Sequence, residues 1–193
     1  MPLRLFVAVT PAASPLQKAE EALERVRPLA PDAKWVKPTA LHLTLAFLGD
    51  TEEARLSDVA TAMDLAAARQ PAPLQLSLAG GGGFGSPRAP RVLWVGVGGE
   101  VERLAALQGE LAKELRARGF SLEERAFKAH LTLARARAPR GDRQLAACVE
   151  ALQSFDGGSG PVERLELFHS TLTPQGSRYE LKHASPLVAV DAV

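Results

Sequence analysis

Apolar and polar positions alternate along this chain with changing period, and the period marks out the elements. Leu3 to Val9 is almost continuously apolar, the pattern of a buried strand. From Pro15 to Arg27 the apolar residues fall at Leu16, Ala19, Leu23 and Val26 with charges between them, which predicts a helix. Ser14 is placed to cap it and Pro15 to occupy its first turn. Pro28 and Pro31 close that segment, and Trp35-Val36 reads as a short extended piece. Ala40 to Leu48 predicts a strand ended by Gly49-Asp50, after which Thr51 caps a helix to about Ala68, with Glu52 and Glu53 in its first turn.

Pro71 and Pro73 break the chain before the alternating strand Leu74 to Leu78, and Gly80 to Gly85 reads as a loop. Arg91 to Val97 predicts a strand. Val101 to Arg118 predicts a helix with Leu104, Leu107, Leu111 and Leu115 on one face and Gly119 as its stop. Ala129 to Ala134 is a strand, Asp142 to Leu152 a helix, and Asp156 to Pro161 a glycine-rich turn. Val162 to Phe168 and Ser177 to Lys182 are the last strands, joined by a turn around Pro174-Gln175-Gly176.

These elements repeat. His130 follows His42 by 88 positions, and Leu93 follows Leu5 by the same 88. At that offset Leu5-Phe6-Val7-Ala8-Val9 falls on Leu93-Trp94-Val95-Gly96-Val97, and Leu16 and Leu23 fall on Leu104 and Leu111. His42-Leu43-Thr44-Leu45-Ala46 falls on His130-Leu131-Thr132-Leu133-Ala134 without a mismatch. The expected fold is α+β and bilobal: two lobes related by a pseudo-twofold axis, each an antiparallel sheet backed by helices, with the working cleft between them. The 193 residues suit one bilobal domain, with repeats roughly 1–88 and 89–193.

Composition narrows the partners. Lys and Arg number 23 against 22 Asp and Glu, so the net charge of +1 gives no global basic field, although a local basic cleft remains open. Aromatics at 5% are too few for an extended stacking platform for single-stranded nucleic acid. The single cysteine, Cys148, excludes an internal disulfide and reads as a small buried residue. The N-terminal apolar run is too short for a signal peptide and no stretch has the length of a membrane span, so the expected compartment is the cytoplasm, with no membrane association. The expected state is a monomer without an obligate protein partner.

In a strand, residues i and i+2 share a face, so His42 points with Thr44 and His130 with Thr132, while the intervening leucines turn to the core. Packing explains repeated leucines; it gives no reason to repeat both histidine and threonine. Two imidazoles and two hydroxyls converging on one cleft suit the opening of a cyclic phosphodiester. One imidazole takes a proton from water and the other gives one to the departing oxygen, each worth about 10²–10⁴-fold. The hydroxyls donate to the non-bridging oxygens as charge builds. Symmetry alone leaves open which histidine is acid and which base.

The chain resembles the two-histidine phosphoesterases, and within them the bacterial and archaeal RNA 2′,3′-cyclic phosphodiesterases, also called 2′-5′ RNA ligases. Besides the two histidine strands, the resemblance lies in Arg4 to Val9, Trp35-Val36, Phe47-Leu48-Gly49, Arg91 to Val97, Lys128 to Arg135 and Ser170 to Tyr179. Ala129 departs from the proline that relatives often carry before the second histidine. The resemblance implies hydrolysis of RNA 2′,3′-cyclic phosphate ends to a 2′-phosphate with His42 as proton donor and His130 as acceptor, with neither metal nor cofactor. In some relatives it extends to reversible 2′-5′ joining.

Arg135 breaks the repeat, since its counterpart is Phe47. The resemblance favours a phosphate-binding role for its guanidinium, whereas strict alternation would put it on the leucine face. Lys128 reads as a solvated rim lysine. His169 and His183 form no recognised metal spacing and read as surface or hydrogen-bonded residues, with His169 a lesser candidate for the cleft. Trp35, Phe84 and Tyr179 are candidate stacking residues. The glycine run lacks the Gly-Lys-Ser/Thr of a Walker loop and reads as a flexible hairpin loop. Two other functions fit the same residues: hydrolysis of a small cyclic phosphate or nucleotide, and non-catalytic binding of RNA ends.

Overall fold

The computed structural model describes residues 2–70, 73–173 and 176–187. Pro71, Pro174 and Gln175 therefore lie outside the described residues. Nine strands and four α-helices follow one another as β1 (Leu3–Val9), α1 (Ala13–Val26), β2 (Lys34–Trp35), β3 (Leu43–Thr51), α2 (Leu56–Ala68), β4 (Leu74–Ser86), β5 (Ala89–Gly99), α3 (Val101–Ala117), β6 (His130–Arg135), α4 (Arg143–Ala151), β7 (Asp156–Val162), β8 (Arg164–Thr173) and β9 (Gly176–Pro186) among the described residues.

They form two sheets, a four-stranded one in the order β3-β1-β8-β9 and a five-stranded one in the order β2-β6-β5-β4-β7. Every pairing is antiparallel. The offset of 88 carries β1 onto β5, β3 onto β6 and β4 onto β8, so β6-β5-β4 and β3-β1-β8 are equivalent triplets. Each sheet draws on both repeats: β8 of the second repeat pairs with β1 of the first, and β4 of the first pairs with β5 of the second. The helices cross over as well. α1, which follows β1, lies against β7, whereas α3, which follows β5, packs on α2 and β3. α2 backs β8 and β9, and α4 backs β4 and β5.

The leucines of the two histidine strands form the floor of this packing. Leu43, Leu45, Leu131 and Leu133 are all buried, together with Leu104, Leu107, Leu111 and Leu115 from the apolar face of α3. α3 ends as its sequence predicts, at Gly119 with φ of +80°. Asp142 caps α4 by accepting a hydrogen bond from the Gln144 amide at 2.8 Å. No helix among the described residues is long and apolar enough to cross a membrane.

Several boundaries differ from expectation. Ser14 lies inside α1, whose N-cap is Ala12 with no side-chain hydrogen bond. Thr51 ends β3 instead of capping a helix; a 3₁₀ turn at Glu53–Arg55 leads into α2. Glycines 80–83 and 85 lie within β4 and form no loop. A side chain at Gly82 would strike the Trp94 ring, and one at Gly81 would strike Leu152, so these positions are glycine because neighbours press onto the strand. The segment Asp156 to Pro161 is likewise strand β7, where a side chain at Gly160 would meet Ala12 at 2.5 Å.

Candidate active site

Each histidine stands at the start of its strand with its ring anchored by the backbone two residues earlier. A 3₁₀ turn at Pro38–Ala40 delivers His42, and its Nδ1 lies 2.7 Å from the Ala40 carbonyl oxygen. His130 Nδ1 lies 2.7 Å from the Lys128 carbonyl oxygen. A carbonyl only accepts, so both rings carry a proton on Nδ1 and leave Nε2 for chemistry. His42 Nε2 is 3.0 Å from Thr44 Oγ1. The same tautomer is thus set twice, by equivalent bonds 88 residues apart.

The register of the two strands carries a feature that alternation alone does not foresee. Ala8 pairs with Thr44 but Val7 with Ala46, so Leu45 is an extra residue in β3. Trp94 pairs with Thr132 but Leu93 with Ala134, so Leu133 is an extra residue in β6. These equivalent β-bulges shift the facing of everything that follows. Leu133 and Ala134 are both buried and Arg135 is exposed; Leu45 and Ala46 are both buried and Phe47 is 45% exposed. The objection from strict alternation to Arg135 in the cleft is removed: three residues past Thr132, it returns to the threonine face.

His42, Thr44, Thr132 and Arg135 line one cavity of about 490 Å³. Arg4, Phe6, Phe47, Ser170, Ser177 and Tyr179 complete much of its wall. His130 is not among the lining residues; it stands two positions before Thr132 on the same face of β6, and its charge is felt at His42. β3 and β6 are in contact, which brings the two lobes together along the histidine strands.

Rings enclose both imidazoles. Phe6 stacks on His42 at 4.7 Å between centroids and Tyr179 meets it edge-on at 5.3 Å. Phe84 meets His130 edge-on at 4.8 Å, with Trp94 at 6.4 Å. Phe6 and Trp94 are again 88 apart. Burial lowers the pKa of both histidines below the usual value, and the Nδ1 hydrogen bond to the backbone carbonyl opposes the shift in each. The cation of Arg135 pushes both further down. The Glu166 carboxylate pulls His42 up, whereas the Lys128 ammonium pushes His130 down.

The remaining candidates separate clearly. Lys128 is exposed, with Nζ 4.8 Å from the Trp94 ring centroid, a rim cation resting on aromatic faces. Trp35 donates its indole N–H to the Ala30 carbonyl at 2.9 Å, a structural bond. His169 faces Glu180 at 3.7 Å and does not line the cavity; His183 is hydrogen-bonded to Asp64 at 2.9 Å. Among the described residues no group of three His, Cys, Asp or Glu is placed to hold a metal ion. Cys148 is buried, and its thiol pKa is pushed up to about 11 by desolvation, in keeping with a packing role. Arg4 and the serines Ser170 and Ser177 were not foreseen. Arg4 had a signal, lying two residues before Phe6 on the same strand face.

A duplicated α+β frame whose halves each carry a histidine and a threonine two residues apart at the start of equivalent strands is the architecture of a two-histidine phosphoesterase. The family model described as LigT-like phosphoesterase matches residues 9–94 and again 95–179, and the chain belongs to that family. A protein of Archaeoglobus fulgidus named RNA 2′,3′-cyclic phosphodiesterase is 35% identical over 180 residues, covering 92% of this chain and 97% of its own. One of the same name from Thermus thermophilus is 36% identical over 184 residues, covering 92% and 86%. The crystal structure of TT0787 of Thermus thermophilus superposes with a TM-score of 0.73 at 32% identity over 97% of this chain and 99% of that one. The apo form of E. coli LigT gives 0.72 at 25% identity over 97% and 99%.

Proposed function

We propose that this chain hydrolyses RNA 2′,3′-cyclic phosphate ends to 2′-phosphates by two-histidine acid–base catalysis. The observation that carries the reading is the twofold-related pair of Nδ1 hydrogen bonds, which fixes the proton on Nδ1 of each ring and leaves each Nε2 for proton transfer. Water attacks phosphorus in line with the 3′ oxygen and its proton passes to His130 Nε2. The bond from phosphorus to the 3′ oxygen breaks, and that oxygen takes the proton from His42 Nε2. The products are a 2′-phosphate and a free 3′ hydroxyl. Between turnovers the proton on His130 returns to solvent and His42 is reprotonated.

The surroundings support these roles. Arg135 disfavours the protonated ring at both histidines, but at His42 the Glu166 carboxylate acts against it, whereas at His130 the Lys128 ammonium adds to it. Thr44 and Thr132 donate to the non-bridging oxygens and Arg135 holds one of them as a charge-assisted partner. The close relatives named RNA 2′,3′-cyclic phosphodiesterase support the substrate class.

The test is incubation with an oligonucleotide ending in a 2′,3′-cyclic phosphate, reading which phosphate isomer appears. A 2′-phosphate is expected, with turnover lowered at least ~10²-fold in His42→Ala and in His130→Ala while both variants stay folded. Full activity in either variant, or a 3′-phosphate product, overturns the mechanism.

A further inference from the structure

Arg135 stands at one end of the five-stranded sheet, and that end gathers more positive charge than the balanced composition suggests. β6 runs out at Arg135 into residues 136–142, which are pinned along the start of β5 by Ala136 N–H to the Arg91 carbonyl at 2.9 Å and Asp142 N–H to the Pro90 carbonyl at 3.0 Å. The close fit of Gly141 against Ala89 shows how tightly this segment is laid down. Arg137, Arg140 and Arg143 are thereby brought beside Arg91 and beside Arg88 at the β4–β5 turn, and all five, like Arg135, are exposed.

None of these six arginines takes part in the ion pairs found among the described residues, which engage other cations such as Arg55, Arg69, Arg118 and Arg164. The nearby Asp142 turns its carboxylate to the cap of α4. Here six exposed guanidinium groups gather at one end of the sheet without an ion-pair partner among the described residues; Arg137 donates to a backbone carbonyl, and Arg135 lines the phosphate cavity. A structural role for so many unpaired like charges is hard to find, since they repel one another. An extended polyanion relieves that repulsion and releases its own counterions.

We infer that this arginine-rich end of the five-stranded sheet carries the backbone of single-stranded RNA leading to the cyclic phosphate end. The inference rests on the hydrolytic reading above and adds to it that the substrate is a strand, recognised over several phosphates without regard to sequence. Bases are left free, in keeping with the scarcity of aromatic residues.

The experiment uses Arg88→Gln/Arg140→Gln/Arg143→Gln, which spares Arg135 in the cavity and Arg137, whose Nε holds the Asp32 carbonyl at 2.6 Å. Values of kcat/KM are compared for an RNA of about ten nucleotides ending in a 2′,3′-cyclic phosphate and for cytidine 2′,3′-cyclic phosphate, over a range of salt. The oligonucleotide-to-mononucleotide ratio is expected to fall at least ~10-fold, and the salt slope for the oligonucleotide to lose about 2, at roughly 0.7 for each of three phosphate contacts. Binding of the same RNA ending in a 2′-phosphate is followed in parallel by fluorescence anisotropy and should weaken likewise. A ratio, slope and affinity equal to those of the unaltered protein overturn the inference. Should the unaltered protein turn over neither substrate, the hydrolytic reading fails, and the anisotropy measurement still decides whether this face holds RNA.

Discussion

Gly82 and Gly109 offer a matched pair of perturbations that separates a seated glycine from an idle one. A Cβ at Gly82 would lie 2.1, 2.3 and 2.5 Å from three atoms of the Trp94 ring, far inside the ~3.5–4.0 Å at which carbon atoms rest. The ring cannot retreat freely, since Phe84 lies 5.4 Å from it and His130 6.4 Å from it. Overpacking of this kind costs about 1–3 kcal/mol. Against it stands the ~0.4–1 kcal/mol that replacing glycine by alanine returns through the unfolded chain. The clash wins, and Gly82→Ala should lose about 1–2 kcal/mol, lowering Tm by roughly 2–8 °C for a chain of this size. At Gly109, on the exposed side of α3, a Cβ meets nothing within 4 Å. There Gly109→Ala should gain up to ~1 kcal/mol of helix propensity and raise Tm by about 2–4 °C. Thermal unfolding of both variants by circular dichroism checks the pair. If Gly82→Ala proves as stable as the parent or more so, Trp94 is not seated on the strand and the reason given for the glycine run is wrong.

Other outcomes follow from the site. Both histidines titrate below the ordinary 6.5 because they are buried, so the bell-shaped kcat/KM profile should peak below pH 6.5, rising as His130 loses its proton and falling as His42 does; a peak at pH 8 would refute the assignment. The same depression means that unfolded rings bind protons first, so stability should drop as pH falls below 6.5, and drop less in His42→Gln, as denaturant titrations at several pH values would show. Arg135→Gln should lower kcat/KM for the cyclic phosphate by about 1.5–3 kcal/mol, or roughly 10–100-fold, with Arg135→Lys recovering part of the loss; equal rates in all three proteins would remove Arg135 from the site. In the proposed mechanism two imidazoles cover both proton transfers, so activity should persist in excess chelator, and strict dependence on an added divalent ion would count against it. Asp142→Ala removes the cap of α4 and should cost about 1 kcal/mol in denaturant unfolding, with no cost expected only if the Gln144 amide finds another acceptor.

The sequence made the duplicated frame and the histidine and threonine pairs legible, because the repeat preserves residues that packing alone would let vary. It misled wherever glycine serves a neighbour instead of a turn. Glycines 80–83 look like a loop until Trp94, Pro90 and Leu152 are seen pressing on β4, and Asp156 to Pro161 looks like a turn until Ala12 of the α1 cap is seen against Gly160. Thr51 and Ser14 have the side chains of caps, yet strand pairing claims the first and the body of α1 the second. Arg135 was legible as a break in the repeat and through resemblance but not through alternation, since a one-residue bulge at Leu133 leaves no mark in a pattern that counts by twos. Arg4 was missed because a single strand-borne arginine is an ordinary surface residue until its neighbours are known.

The paired bulges have one more consequence. A perfectly mirrored pocket would accept a substrate in either of two head-to-tail poses with equal energy, and half of the encounters would present the wrong oxygen to the wrong imidazole. By turning position 47 and position 135 back toward the pocket, the bulges open two mirrored slots, filled by a benzyl ring in one and a guanidinium in the other. A preference of only ~1.4 kcal/mol between those slots would orient nine or more molecules in ten. The unlike pair Phe47 and Arg135 thus gives direction to a symmetric frame, beside Glu166 near one imidazole and Lys128 near the other.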